Sequence, residues 1–153
     1  MHRWILGVLL GLVVIGGGVA GCGGGGEDEA SANVTKAQFT REANAICAER
    51  KGKWDAQVKA SKKELAAEGG SLNEEVADRL VSSSLVPLMQ EEQEKLEALS
   101  APQGEEEAVS KMMETRSIAI EKIEDGGVAA VYKPSTLSPF YEQASKYGLK
   151  CQL

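Results

Sequence analysis

From Phe39 onward, apolar side chains return every three or four residues, and most glycines and prolines fall between these stripes. That spacing puts the apolar groups on one face of a 3.6-residue helix. No long run alternates apolar with polar residues at the period of two that a half-buried strand needs. The fold class is therefore all-α. Brief connections favour antiparallel neighbours, so the expected architecture is a small up-down bundle of three to four helices.

The first helix is expected over 36–67. Thr35 is a good N-cap, and Gln38 completes a capping box. Its stripe is Phe39, Ala43, Ile46, Cys47, Arg50, Trp54 and Val58, with the Arg50 stem laid along it and its charge at the edge. Gly69 and Gly70 end the helix. The second starts near Ser71 to Asn73, with Glu74 and Glu75 favourably placed in its first turn. Its stripe is Leu72, Val76, Leu80, Leu85, Leu88, Leu96 and Leu99, widened by Val81 and Met89. Pro87 lies inside this run and predicts a kink or a break. A turn follows over 100–104. The third helix is expected over 105–125, with Val109, Met112, Met113, Arg116, Ile120 and Ile123 on its stripe, stopped by Gly126 and Gly127. Residues 128–132 are apolar and of undecided type. Ser138 then caps a last helix with Pro139 at its first position, and Gly148 ends it.

Ahead of the helices lies a different kind of sequence. Arg3 precedes an apolar run from Ile5 to Val19, interrupted only by glycines. The run is shorter than the roughly 20 residues of a membrane-spanning helix and suits a secretory leader. It ends in Val19-Ala20-Gly21-Cys22, which resembles the bacterial lipobox: an aliphatic residue, two small residues and a cysteine. The resemblance implies cleavage after Gly21 and a diacylglyceryl thioether on Cys22. Two or more acyl chains hold a protein stably on a bilayer, at about 0.8 kcal/mol per buried methylene. Gly23 to Gly26 and the acidic stretch after them read as a flexible tether. The organisation is a lipoprotein signal peptide (1–21), a lipidated cysteine with its tether (22–34) and a helical domain (35–153). The glycines are not a phosphate loop, because no strand precedes them and no helix opening on Lys-Ser or Lys-Thr follows.

With Cys22 lipidated, Cys47 and Cys151 remain, an even pair in an exported chain. A disulfide between them closes a loop of roughly a hundred residues, for which the chain-entropy argument gives about 4.7 kcal/mol as an upper figure. Redox-active pairs are usually C-x-x-C, which this is not. Two further segments carry a resemblance. Phe39 to Glu49 reads Phe-Thr-Arg-Glu-Ala-Asn-Ala-Ile-Cys-Ala-Glu, and the chain closes on Gly148-Leu149-Lys150-Cys151. With the lipobox, these segments resemble small exported actinobacterial lipoproteins of unknown function. The resemblance implies a Cys47–Cys151 bridge and a small helical domain. It carries no activity.

The one histidine, His2, leaves with the leader, which removes imidazole acid–base chemistry, Ser-His or Cys-His pairs and histidine metal sites. The formal net charge of −6 becomes more negative once Arg3 is lost, which argues against nucleic acid or an anionic lipid surface as a partner. Glu91, Glu92, Glu94 and Glu97 could supply ligands for a hard cation or a carboxylate pair, but read better as a solvated helix face. Trp54 reads as core at one end of the bundle. One of Met112 and Met113 reads as core and the other as peripheral. Lys59, Lys62 and Lys63 read as a solvated basic turn. No catalytic residue, metal site or cofactor is expected. The expected role is a non-enzymatic protein-binding or adaptor module, anchored at the extracytoplasmic face of the cell membrane, with an envelope protein as partner. The alternative is a receptor for a small apolar ligand or lipid, lodged near Pro87 and the methionines.

Overall fold

The structure is a computed structural model that describes residues 34–153. The leader, Cys22 and all of the tether except Val34 lie outside the described residues. Val34, assigned above to the tether, already packs against the core.

Helix α1 (Lys36–Ala67) starts at the predicted cap. The Thr35 hydroxyl accepts the Gln38 N–H at 3.2 Å, and the Gln38 side chain accepts the Thr35 N–H at 3.2 Å. The next rod is continuous through α2 (Glu74–Leu80), a π-helical turn (Val81–Leu85) and α3 (Val86–Glu97). Pro87 explains the middle piece. In an unbroken α-helix its ring would crowd the Ser83 carbonyl, which would also lack a donor. Instead the Val86 N–H bonds the Val81 carbonyl, five residues back. The Ser82 and Ser83 hydroxyls donate to the Arg79 carbonyl at 3.2 and 2.6 Å. Pro87 then falls in the first turn of α3, where a missing donor costs little. The proline therefore bulges the rod without dividing it.

Helix α4 (Glu106–Tyr132) outlasts its predicted stop. Gly127 does leave helical geometry, at φ 58° and ψ −146°, but residues 128–132 resume as helix. The restart is capped from another element: the Val128 N–H donates to Asp78 of α2 at 2.7 Å. A side chain at 127 would run into that same carboxylate.

Helix α5 (Pro134–Tyr147) begins four residues before the predicted Ser138 cap, and Pro139 lies within it. Pro134 offers an equally good N1 proline, and the earlier start buries Thr136 and Leu137. Gly148, at φ 104°, closes α5 by letting the Leu149 N–H reach the Ala144 carbonyl at 2.7 Å.

Cross-links between helices give the topology. Glu49 pairs with Lys95 and Lys53 with Glu91, so α1 and α3 run antiparallel. Arg116 bonds Met89 and Gln93 bonds Met113, so α3 and α4 do too. The four rods form the expected up-down, all-α bundle. Cys47 and Cys151 are bonded across 104 residues with a Cα–Cα distance of 5.0 Å. The core has two parts. One gathers Phe39, Cys47, Leu96, Met112, Phe140 and Cys151. The other gathers Val81, Leu85, Met89, Ile120, Ile123 and Leu137.

Candidate functional site

Two places bear on function: a charged layer in the bundle interior, and a cleft beside it. The layer lies between the two apolar parts of the core. Arg50 follows Cys47 by one turn, Glu92 and Gln93 fall between Met89 and Leu96, and Arg116 falls between Met113 and Ala119. Glu92 is 2% exposed, Arg116 1% and Arg50 5%. A single carboxylate oxygen, Glu92 Oε2, accepts from Arg50 Nε at 2.9 Å and from Arg116 Nη2. Arg116 Nη1 also donates to the Met89 carbonyl at 2.9 Å and to Gln93 Oε1 at 2.7 Å. Gln93 in turn donates to the Met113 carbonyl at 3.2 Å. Arg50 Nη2 donates to the Gln152 carbonyl at 2.7 Å.

Two guanidinium groups against one carboxylate leave one excess positive charge. Burial accordingly pulls the Arg116 guanidinium below its usual range, and Glu92 works against that pull. Burial also raises the Tyr141 phenol, whose oxygen accepts the Leu153 N–H at 3.1 Å. Arg50 Nη1 and Glu92 Oε1 are buried without a protein partner.

Three expectations are corrected here. The Arg50 charge is interior, not at the edge of its stripe. Glu92 is not part of a solvated face, although Glu94 and Glu97 are exposed. Met112 and Met113 are both buried, so neither is peripheral. A signal for Glu92 existed: it shares the helical register of Leu85, Met89 and Leu96 and so had to face inward. The layer has no evident catalytic use. Glu92 lies with the Cys47 and Cys151 sulfurs within 4.8 Å of one another, but sulfurs joined in a disulfide are not thiolate ligands.

Above the layer, Glu49, Lys53, Glu91 and Lys95 close a ring of surface ion pairs between α1 and α3, at 2.7 to 2.9 Å. Hydrogen bonds from Lys53 and then Lys95 hold the Glu91 carboxyl down to about 2.

The cleft lies further along α1. The buried residues of this helix are Phe39, Ala43, Cys47 and Arg50, and α2 buries none. Beyond Arg50 the half-covered positions of α1 are 54, 58, 61 and 65, all on one face. Trp54 and Val58 look across a cavity of about 500 Å³ towards Leu80, Val81 and Leu85 of the second rod, Val128 and Val131 of α4, and Leu153, while Ser61 and Leu65 line a separate hollow of about 370 Å³ beside Val76 and Arg79. Trp54, expected as core, is a half-buried wall of this cavity. Leu72 and Tyr132 stand at its mouth, 49% and 81% exposed. Lys62 is on the rim, and Lys59 and Lys63 are exposed beside it. The cavity is not at Pro87, which is exposed, or at the core methionines.

Sequence reasoning placed Trp54, Val58, Leu72, Leu80 and Val81 on apolar stripes but did not anticipate that α1 and α2 would leave a gap between them. Among the described residues, no helix is long and apolar enough to cross a membrane. No protein-family model, curated protein or solved structure matches the chain.

Proposed function

We propose that the chain is a membrane-anchored, extracytoplasmic lipoprotein whose helical domain is a non-enzymatic binding module. The lipobox at Cys22 supports the anchor. The buried Cys47–Cys151 bond suits an oxidising compartment outside the cytoplasm. The observation that carries the binding role is the cleft: two helix faces that bury nothing oppose each other across an apolar cavity of small-molecule size.

An apolar ligand in that cleft is the reading the geometry favours. An adaptor role toward an envelope protein is the second reading, supported by Tyr132 standing almost free at the mouth.

Fractionation and crosslinking of the tagged full chain in intact cells, beside a Cys22→Ala version, test the proposal. Wild type should sediment with membranes and Cys22→Ala should not. Equal sedimentation of the two would remove the anchor. A single protein captured at the cleft would turn the module into an adaptor.

A further inference from the structure

We infer that the cleft between α1 and the second rod takes a single-chain anionic amphiphile, a long-chain fatty acid in chemical class, with its hydrocarbon between Trp54, Val58 and Leu85 and its head at Lys62. This rests on the reading of the domain as a binding module, but not on the lipid anchor.

Shape is the first argument. From Lys51 to Lys62 the α1 wall runs about 16 Å, and the cavity holds about 500 Å³. That volume is in the lower half of the roughly 300–1,000 Å³ range of small-molecule sites, which suits one extended chain rather than two. Lining is the second. Trp54 and Val58 form one wall, and Leu80, Val81 and Leu85 the other. Hydrocarbon is what such walls receive without leaving buried polar groups unpaired.

Charge is the third. The charged residues of the lining are Lys51, Asp55 and Lys62. Lys51 is held by Asp55 at 3.0 Å, so the two cancel. Lys62 is exposed and takes part in none of the ion pairs among the described residues. One unpaired cation at the rim of an apolar trough complements one anionic head at the end of an apolar chain.

The test uses the full chain in intact cells supplied with a photoreactive, alkyne-bearing long-chain fatty acid. After illumination, the chain is isolated and its labelled peptides are mapped by mass. The expected result is an adduct of one fatty acid on the segments 54–62 or 128–132, retained in Cys22→Ala. Val58→Glu should lower cleft labelling more than tenfold and Lys62→Glu at least fivefold, with the helical circular dichroism of both intact. Lys62 is exposed, so its variant keeps the test decisive even if Val58→Glu fails to fold. Label confined to Cys22 would overturn the inference and leave the anchored module standing. Label in the cleft but none at Cys22 would do the reverse. An adduct with the mass of a two-chain phospholipid, undiminished labelling in Lys62→Glu, or a protein crosslinked to the cleft segments would each overturn it.

Discussion

Between Phe39 and Arg50, α1 buries a residue at every turn; between Lys51 and Ala67 it buries none. The first half is tied down many times over. It carries the disulfide at Cys47, and it receives the tail through Asn44, which accepts the Lys150 N–H at 2.6 Å, and through Arg50, which donates to Gln152. In the second half Trp54 and Val58 line a cavity instead. The buried cross-links of α1 thus lie in its first half, and the second half is held to α3 by the exposed Lys53–Glu91 pair. Regions of low local stability are where ligand-binding segments are drawn from. The contrast places the buried cross-links and the proposed binding cleft in different halves of α1, and it can be broken by substitution.

The largest effect should come from the charged layer. Glu92→Gln removes the one carboxylate facing two buried guanidinium groups. Breaking a buried ion pair from one side costs about 3–5 kcal/mol, read as a fall in urea-unfolding free energy. Arg116→Met should cost less than half of that, because it leaves Arg50 and Glu92 matched one to one. A Glu92→Gln cost below about 1 kcal/mol would mean that the layer does not define the stable half. Next in size is the disulfide. Cys47→Ser should lose about 2–5 kcal/mol and release the tail from α1, seen as faster amide exchange at residues 149–153. On the other side of the comparison, Leu72→Ser and Lys62→Glu should move stability by no more than about 0.5 kcal/mol.

Gly127, where α4 meets Asp78 of α2, should fall between these extremes. Its φ of 58° is left-handed, and a methyl there would meet the Asp78 carboxylate that caps residue 128. Gly127→Ala should cost about 1–3 kcal/mol. It should also disturb the Val128 and Val131 wall of the cleft. A variant as stable as wild type would show that the Asp78 cap is dispensable.

The same division explains what could be read in advance. Apolar stripes, caps and glycine stops gave the helices because those signals are local: the Thr35–Gln38 capping box is complete within four residues. The pairing of Cys47 with Cys151 followed from arithmetic and resemblance. The start of α5 did not follow, since Pro134 and Pro139 are equivalent locally and burial of Leu137 decided between them. The charged layer was half legible: Arg50 and Arg116 stood on core stripes, but Glu92 was lost among neighbouring glutamates. The cleft was not legible at all. Its walls come from Trp54 and Val58, from Leu80 to Leu85 and from Val128 and Val131, residues far apart in sequence whose spacing no local signal sets.

The smallest effect separates the buried layer from the ring of ion pairs above it. The Glu91 carboxyl is held to about 2 by hydrogen bonds from Lys53 and then Lys95, and Glu49 is lowered by those from Lys95 and then Lys53. A carboxyl lowered on folding adds stability that is fully present above its ordinary value and lost as pH falls, because the unfolded chain takes up the proton first. For Glu91 that window runs from 4.5 down to about 2. Lys53 and Lys95 are raised, so their contribution holds up to 10.5 and fades above it. Between these limits the ring should leave stability flat with pH. Glu91→Gln should therefore lessen the fall in Tm between pH 4.5 and 2, and 1 M salt should mask the difference, since the Lys53 and Glu91 side chains are 41% and 42% exposed. The Arg50–Glu92–Arg116 layer, shielded from salt by burial, should not respond to it. An acid limb unchanged in Glu91→Gln would assign it to other carboxylates and leave α1 joined to α3 by the buried layer and the apolar contacts of Phe39 and Cys47 with Leu96.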